Sequence, residues 1–160
     1  RTVATLGYTG LAAAQTVTVL VVANRLAGGL VGFQLAMNFY FLPLAVVTAS
    51  ENGHLVLQRA GIADRFDVVL TGLEAKHWRL PGKPAPDIYL HTARLLDIPP
   101  EFCIAIEDSV HGIVAAATAG MRVVQSRQAT FVPPPHPSAH AVIETLEAFK
   151  HGWLDGDALG

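Results

Sequence analysis

Two adjacent carboxylates, Glu107 and Asp108, close the apolar run 103–106 (CIAI), and Ser109 and a stretch of small residues ending at Gly120 follow them. Paired carboxylates at the end of a buried strand suit a hard cation such as Mg²⁺, which takes oxygen ligands from protein and from substrate phosphate. The same residues also suit a helix N-terminus, with Asp108 or Ser109 as its cap and negative charge favoured by the helix dipole. Two further groups bear on that choice. Thr48 ends the apolar run 44–48 (LAVVT), and Lys83 sits in the glycine- and proline-rich stretch GKPAP. A hydroxyl and the backbone N–H groups after it suit phosphate oxygens. An ammonium neutralises charge on a transferring phosphoryl group, and carboxylates hold the metal.

These groups act together only if the fold brings them together. Apolar runs at 44–48, 66–70, 103–106 and 122–125 read as buried strands, and 15–24 (QTVTVLVVAN), rich in Val and Thr, as another. Between them, 51–60 reads as a helix with Ser50 as N-cap and Gly61 just past its end, and 87–96 as a second helix. Residues 72–86 (GLEAKHWRLPGKPAP) read as a loop, and 131–138 (FVPPPHPS) as a polyproline-like connector. Residues 141–150 read as a short helix or a strand followed by a helix. Strands alternating with helices imply a parallel, doubly wound sheet, in which the carboxyl ends of the strands converge on one rim. Thr48, Glu107 and Asp108 would share that rim.

Single residues have simpler readings beside the chemical ones. Lys83 could be a solvated loop lysine, and Thr48 a strand-end residue. Ser50 and Ser109 are better caps than nucleophiles, since no glycine elbow surrounds Ser109. His111, three residues past the acids, fits an exposed helical position better than a ligand for a cation that prefers oxygen. Trp78 is either a loop anchor or part of a partner surface.

The 160 residues allow one domain with a sizeable core, and a formal net charge of −2 gives no basic field for nucleic acid. The one cysteine, Cys103, lies in an apolar strand pattern and reads as a small buried hydrophobe, which fits a reducing, cytoplasmic setting. Charge is unevenly spread: all thirteen Asp and Glu lie from Glu51 onward, and residues 1–50 carry only Arg1 and Arg25. Residues 1–43 thus form an apolar N-terminal segment of unassigned role, 44–150 the core domain and 151–160 a tail. The run 26–47 is uncharged and long enough to raise a membrane span, with Gly28 and Gly32 spaced for a helix contact. Gln34, Asn38 and Pro43 interrupt it, and its last residues belong to the next strand, so a membrane role is the lesser reading.

VVTASENG (46–53), GKPAPDIYL (82–90) and IEDSVHGIVAAATAGM (106–121) resemble motifs II, III and IV of the haloacid dehalogenase-like hydrolases, in order and with suitable spacing. The resemblance, nearest to the β-phosphoglucomutase and phosphoglycolate-phosphatase-like branch, runs from residue 44 to about 125 and more weakly to 149. It implies a Rossmann-type parallel sheet flanked by helices. It implies Thr48 as the hydroxyl that binds the phosphoryl group, with Ala49 offering its backbone N–H and Ser50 beside it. Asn52 falls where some sugar-phosphate mutases contact substrate, and Lys83 is the motif III lysine. Asp108 is implied as the Mg²⁺ ligand, with Glu107 in or beside the coordination shell.

The family's chemistry begins at motif I, DxDxT/V, whose first Asp becomes an aspartyl phosphate and whose second is the general acid/base. With no carboxylate before Glu51, the motif has no counterpart, and Asn24 stands at the nucleophile position of the strand 15–24. A neutral amide is a poor nucleophile and a weak Mg²⁺ ligand. About twenty residues between Asn24 and Leu44 leave no room for the usual cap domain. The expected activity is Mg²⁺-dependent hydrolysis or transfer of phosphate on small phosphorylated metabolites such as sugar phosphates. The chain is then expected to be a fragment without its nucleophile. The alternative is a non-catalytic remnant that binds phosphate and Mg²⁺, with or without a membrane tether.

Overall fold

The structure is a computed structural model that describes residues 18–21, 43–127 and 133–150. Six parallel strands make one sheet in the order β3-β2-β1-β4-β5-β6. They are β1 (Thr18–Val21), β2 (Leu44–Val47), β3 (Val68–Leu70), β4 (Cys103–Glu107), β5 (Arg122–Ser126) and β6 (Ala141–Ile143). Among the described residues four helices flank the sheet: α1 (Gly53–Arg59), α2 (Gly72–His77), α3 (Asp87–Leu96) and α4 (Val110–Thr118). This is the parallel sheet flanked by helices that the alternation of apolar runs predicts. Asn24, Arg25, Gly28, Gly32, the apolar run as far as residue 42 and the tail 151–160 lie outside the described residues. Residues 44–47, the end of that run, form β2, and no helix among the described residues is long and apolar enough to cross a membrane.

Strand alternation divides the core into two layers. Leu44 and Val46 of β2, Ile104 and Ile106 of β4 and Val124 of β5 pack with Leu57 of α1 on one face. Ala45, Val47, Cys103, Ala105 and Val123 face the other way, against Tyr89 and Ala93 of α3 and Ile113, Ala115 and Ala116 of α4. Burying each large aliphatic side chain contributes ~1.5–3 kcal/mol. The second face is lined by small residues, so α4 packs close to the sheet. Burial pushes the Cys103 thiol up to about 12, with Glu101 adding to it. Cys103 is therefore inert packing, as its apolar surroundings predict.

Three local expectations need correcting. Residues 72–77 are helical, and the loop begins only after them: Thr71 accepts from Leu73 N–H (3.2 Å) while the Glu74 carboxylate accepts from Thr71 N–H (2.8 Å), a capping box. The T-x-x-E spacing is its sequence signal. Ser50 is not the cap of α1. Asn52 holds that place without a side-chain cap bond, and the Ser50 hydroxyl accepts from Asn52 N–H (3.3 Å) in the turn before it. Residues 141–150 begin as β6 and continue in a single 3₁₀ turn, Leu146–Ala148. Gly61 does follow α1 in a left-handed conformation, φ +69°.

The capping box yields a pH prediction. Burial opposes the charged form of Glu74, but hydrogen bonds from the Thr71 hydroxyl, His54 and the Thr71 backbone outweigh it. They hold the carboxyl at about 2, below an ordinary 4.5. A depressed pKa stabilises the fold fully above the unfolded-state value and loses that contribution as pH falls through the folded one. Denaturant midpoints of the parent chain should therefore fall between pH 4.5 and 2. Glu74→Gln should flatten that part of the profile; an unchanged slope would refute it.

Candidate functional site

The site is built around the end of β4. Residues 103, 105 and 107 point to the α3/α4 face, so Glu107 is aimed under α4, and Asp108, buried as well, follows in the turn after the strand. Glu107 is 1% exposed, and each of its oxygens is occupied. Oε1 accepts from the Lys83 ammonium at 2.5 Å and from the Tyr89 hydroxyl. Oε2 accepts from Ser109 N–H (3.3 Å) and the Ser109 hydroxyl (3.1 Å). Gly112 lies directly over this carboxylate: a Cβ there would stand 2.0–2.2 Å from its Cδ and oxygens. Only glycine allows the first turn of α4 to close over a buried, fully bonded acid.

Lys83 comes from the loop ahead of α3. Its side chain is 10% exposed, and its ammonium lies 5.1 Å from the centroid of the Tyr89 ring. Tyr89 is wholly buried, and burial together with the charges of Glu107 and Asp108 raises its pKa well above 10. Ser109 is the N-cap of α4, its hydroxyl accepting from Gly112 N–H at 3.1 Å. His111 is exposed on α4, and Trp78, at the end of α2, packs on His91 with ring centroids 4.4 Å apart.

Thr48 stands at the end of β2, buried, its N–H donating to Leu70 O (2.9 Å). Its hydroxyl accepts from Ser50 N–H at 3.1 Å, which leaves the hydroxyl proton free to be donated. Ala49, Ser50 and Asn52 are exposed on the turn that follows. Two glycines give this turn its path. A Cβ on Gly53 would stand 2.9 Å from Thr48 Cγ2, and one on Gly72 would stand 2.4 Å from Ala49 O.

The register sets these residues relative to one another. Val21 pairs with both Val46 and Ile106. Thr48 and Asp108, each two residues further on, therefore lie at one level of the sheet. They are two strand spacings apart, about 10 Å, with β1 between their strands. The structure thus joins Lys83 to Glu107, places Asp108 next to that pair, and puts Thr48 across the end of β1. Sequence reasoning missed Tyr89 and Gly112. Tyr89 falls inside the GKPAPDIYL stretch, and Gly112 is the third residue after Ser109, so both sit within motif segments without being chemical in type.

Among the described residues no group of three or more His, Cys, Asp or Glu could hold a metal ion. The donor chemistry nonetheless suits a hard cation at Asp108. Lys83, Glu107 and Asp108 sum to a formal charge of −1, a rim that repels phosphate unless a cation is added. One carboxylate, water and phosphate oxygens form the kind of ligand set that Mg²⁺ takes.

The model of the haloacid dehalogenase-like hydrolase family matches residues 39–120, just over half of the chain. Over 87 residues the chain is 38% identical to fructose-1-phosphate phosphatase YqaB of Escherichia coli (strain K12), covering 53% of this chain and 44% of that protein. Over 83 residues it is 36% identical to the β-phosphoglucomutase of Bacillus subtilis (strain 168), covering 52% of this chain and 35% of that one. The crystal structure of CbbY from Rhodobacter sphaeroides in complex with phosphate matches with a TM-score of 0.65 and 30% identity, over 76% of this chain and 54% of that one. The chain spans less than half the length of the two curated relatives. The family match covers β2, the Lys83 loop and the β4–α4 turn, the segments that form the rim, and the chain belongs to the haloacid dehalogenase-like hydrolases.

Proposed function

We propose that this chain carries the phosphate- and Mg²⁺-binding half of a phosphatase or phosphomutase acting on small phosphorylated metabolites, sugar phosphates foremost. The observation that carries this reading is the Lys83–Glu107 pair beside Asp108, at one sheet level with Thr48. On this reading Lys83 neutralises the equatorial oxygens of the phosphoryl group, and the Thr48 hydroxyl donates to one of them. The Ala49 N–H lines the same approach with Ser50 beside it, and Asn52 reaches the sugar. Asp108 would hold Mg²⁺, with Glu107 beside it, and the cation would supply charge neutralisation to the phosphate. The fructose-1-phosphatase and β-phosphoglucomutase relatives support the substrate class. A cytoplasmic setting is part of the proposal and rests on the buried, unpaired cysteine.

The second reading, a binding remnant without turnover, is favoured by the absence of any Asp or Glu before Glu51. Both readings require phosphate binding, so that is the first test. Phosphorus NMR titration of inorganic phosphate should show binding that tightens with Mg²⁺. Lys83→Ala should weaken it about tenfold, the loss of one charge-assisted contact of about 1.5–3 kcal/mol diluted by solvent. Binding that ignores both Mg²⁺ and Lys83→Ala would overturn the site.

A further inference from the structure

We propose that the Tyr89 hydroxyl is a positioning group for Lys83: by sharing Oε1 of Glu107 it keeps the ammonium available to a phosphate at the rim. The inference rests on the proposed phosphate site and adds a residue to it. An unshared carboxylate in a site this dry would hold an ammonium as a closed ion pair, because charge attraction grows as water is excluded. Here Oε1 divides its charge between two donors, Lys83 and Tyr89. The carboxylate cannot turn away to separate them. Its other oxygen is held by Ser109 N–H and hydroxyl, and Gly112 closes over it. Tyr89 itself is fixed in α3 and wholly buried, so its hydroxyl cannot exchange Glu107 for water. Its ring also lies under the ammonium, at 5.1 Å, and offers a second, weaker attraction. Lys83 is therefore cradled between a carboxylate whose charge is shared with other donors and an aromatic face, which fixes its place without consuming its charge.

Removing only the hydroxyl tests this. In Tyr89→Phe the ring stays, Oε1 belongs to Lys83 alone, and inorganic phosphate should bind about fivefold more weakly, a share of one hydrogen bond to a charged group. The effect should vanish in a Lys83→Met background, where no ammonium remains to be positioned. A merely structural role for Tyr89 would weaken binding equally in both backgrounds, and that result overturns the proposal. A chain carrying 3-fluorotyrosine at position 89 keeps ring and hydroxyl and makes the hydroxyl a stronger donor. It should bind phosphate more tightly than the parent, and unchanged or weaker binding overturns the proposal even if Tyr89→Phe fails to fold. Failure of the phosphate site itself is distinguishable, since Lys83→Met alone would then leave binding unchanged.

Discussion

Replacing Glu107 with alanine should destabilise the chain by about 3–5 kcal/mol, the usual cost of removing one partner of a buried ion pair. The size follows from what would be stranded. The Lys83 side chain is 10% exposed, so its charge would be left in a poorly solvated place. The Tyr89 hydroxyl, wholly buried, would lose its acceptor, and Ser109 would lose the partner that ties the start of α4 to the end of β4. A small domain has ~5–15 kcal/mol in all, so this one substitution should remove a large share of the stability and lower the denaturant midpoint markedly. Glu107→Gln keeps the shape and one acceptor oxygen, and should cost less. Combining Glu107→Ala with Lys83→Met and Tyr89→Phe removes the stranded groups as well and should recover much of the loss. A cost below about 1 kcal/mol for Glu107→Ala, the range of an exposed pair, would mean that the network is not buried as described.

Turnover is the second large effect. Residues 1–160 should hydrolyse p-nitrophenyl phosphate and sugar phosphates barely above background with Mg²⁺ present. On the proposed reading Lys83, Thr48 and Asp108 hold the phosphoryl group and spread its charge, and none of them serves as the nucleophile. Attack by water without a positioned nucleophile is slow, and losing one member of a nucleophilic set costs a factor on the order of 10⁴ to 10⁶. The gap has an address in the fold. Thr48 and Asp108 lie at one sheet level, and β1 runs between their strands, described as far as Val21. Placing an Asp-x-Asp-x-Thr segment with its first Asp at position 24, the nucleophile position read from the sequence, should therefore raise turnover by orders of magnitude, in a manner lost on Lys83→Ala. Robust hydrolysis by the unaltered chain would show that another residue accepts the phosphoryl group.

What sequence alone determined is what local pattern and residue type can carry. The β2, β4 and β5 strands announce themselves as apolar runs, α3 by its periodicity, and α4 by Ser109 at its start and the left-handed Gly120 just past its end. Thr48, Lys83, Glu107 and Asp108 stood out in the sequence because a hydroxyl and two carboxylates close apolar runs and an ammonium sits in the stretch GKPAP. The helix 72–77 was also written in the sequence, in Thr71 and Glu74, but the glycines and prolines further along concealed it.

The division of labour between the two acids was decided by tertiary structure. Residues 103, 105 and 107 share one face of β4, so Glu107 is buried under α4, while Asp108, also buried, begins the turn into that helix. Which face is which depends on where α3 and α4 pack, and that follows from small residues distributed over distant segments. Tyr89 and Gly112 became part of the site for the same reason. One is an aromatic in a helix and the other a glycine in a helix, unremarkable by type. Only the approach of two helices to one strand end turns a phenol into a partner of Lys83 and makes the lack of a Cβ a condition for burying Glu107.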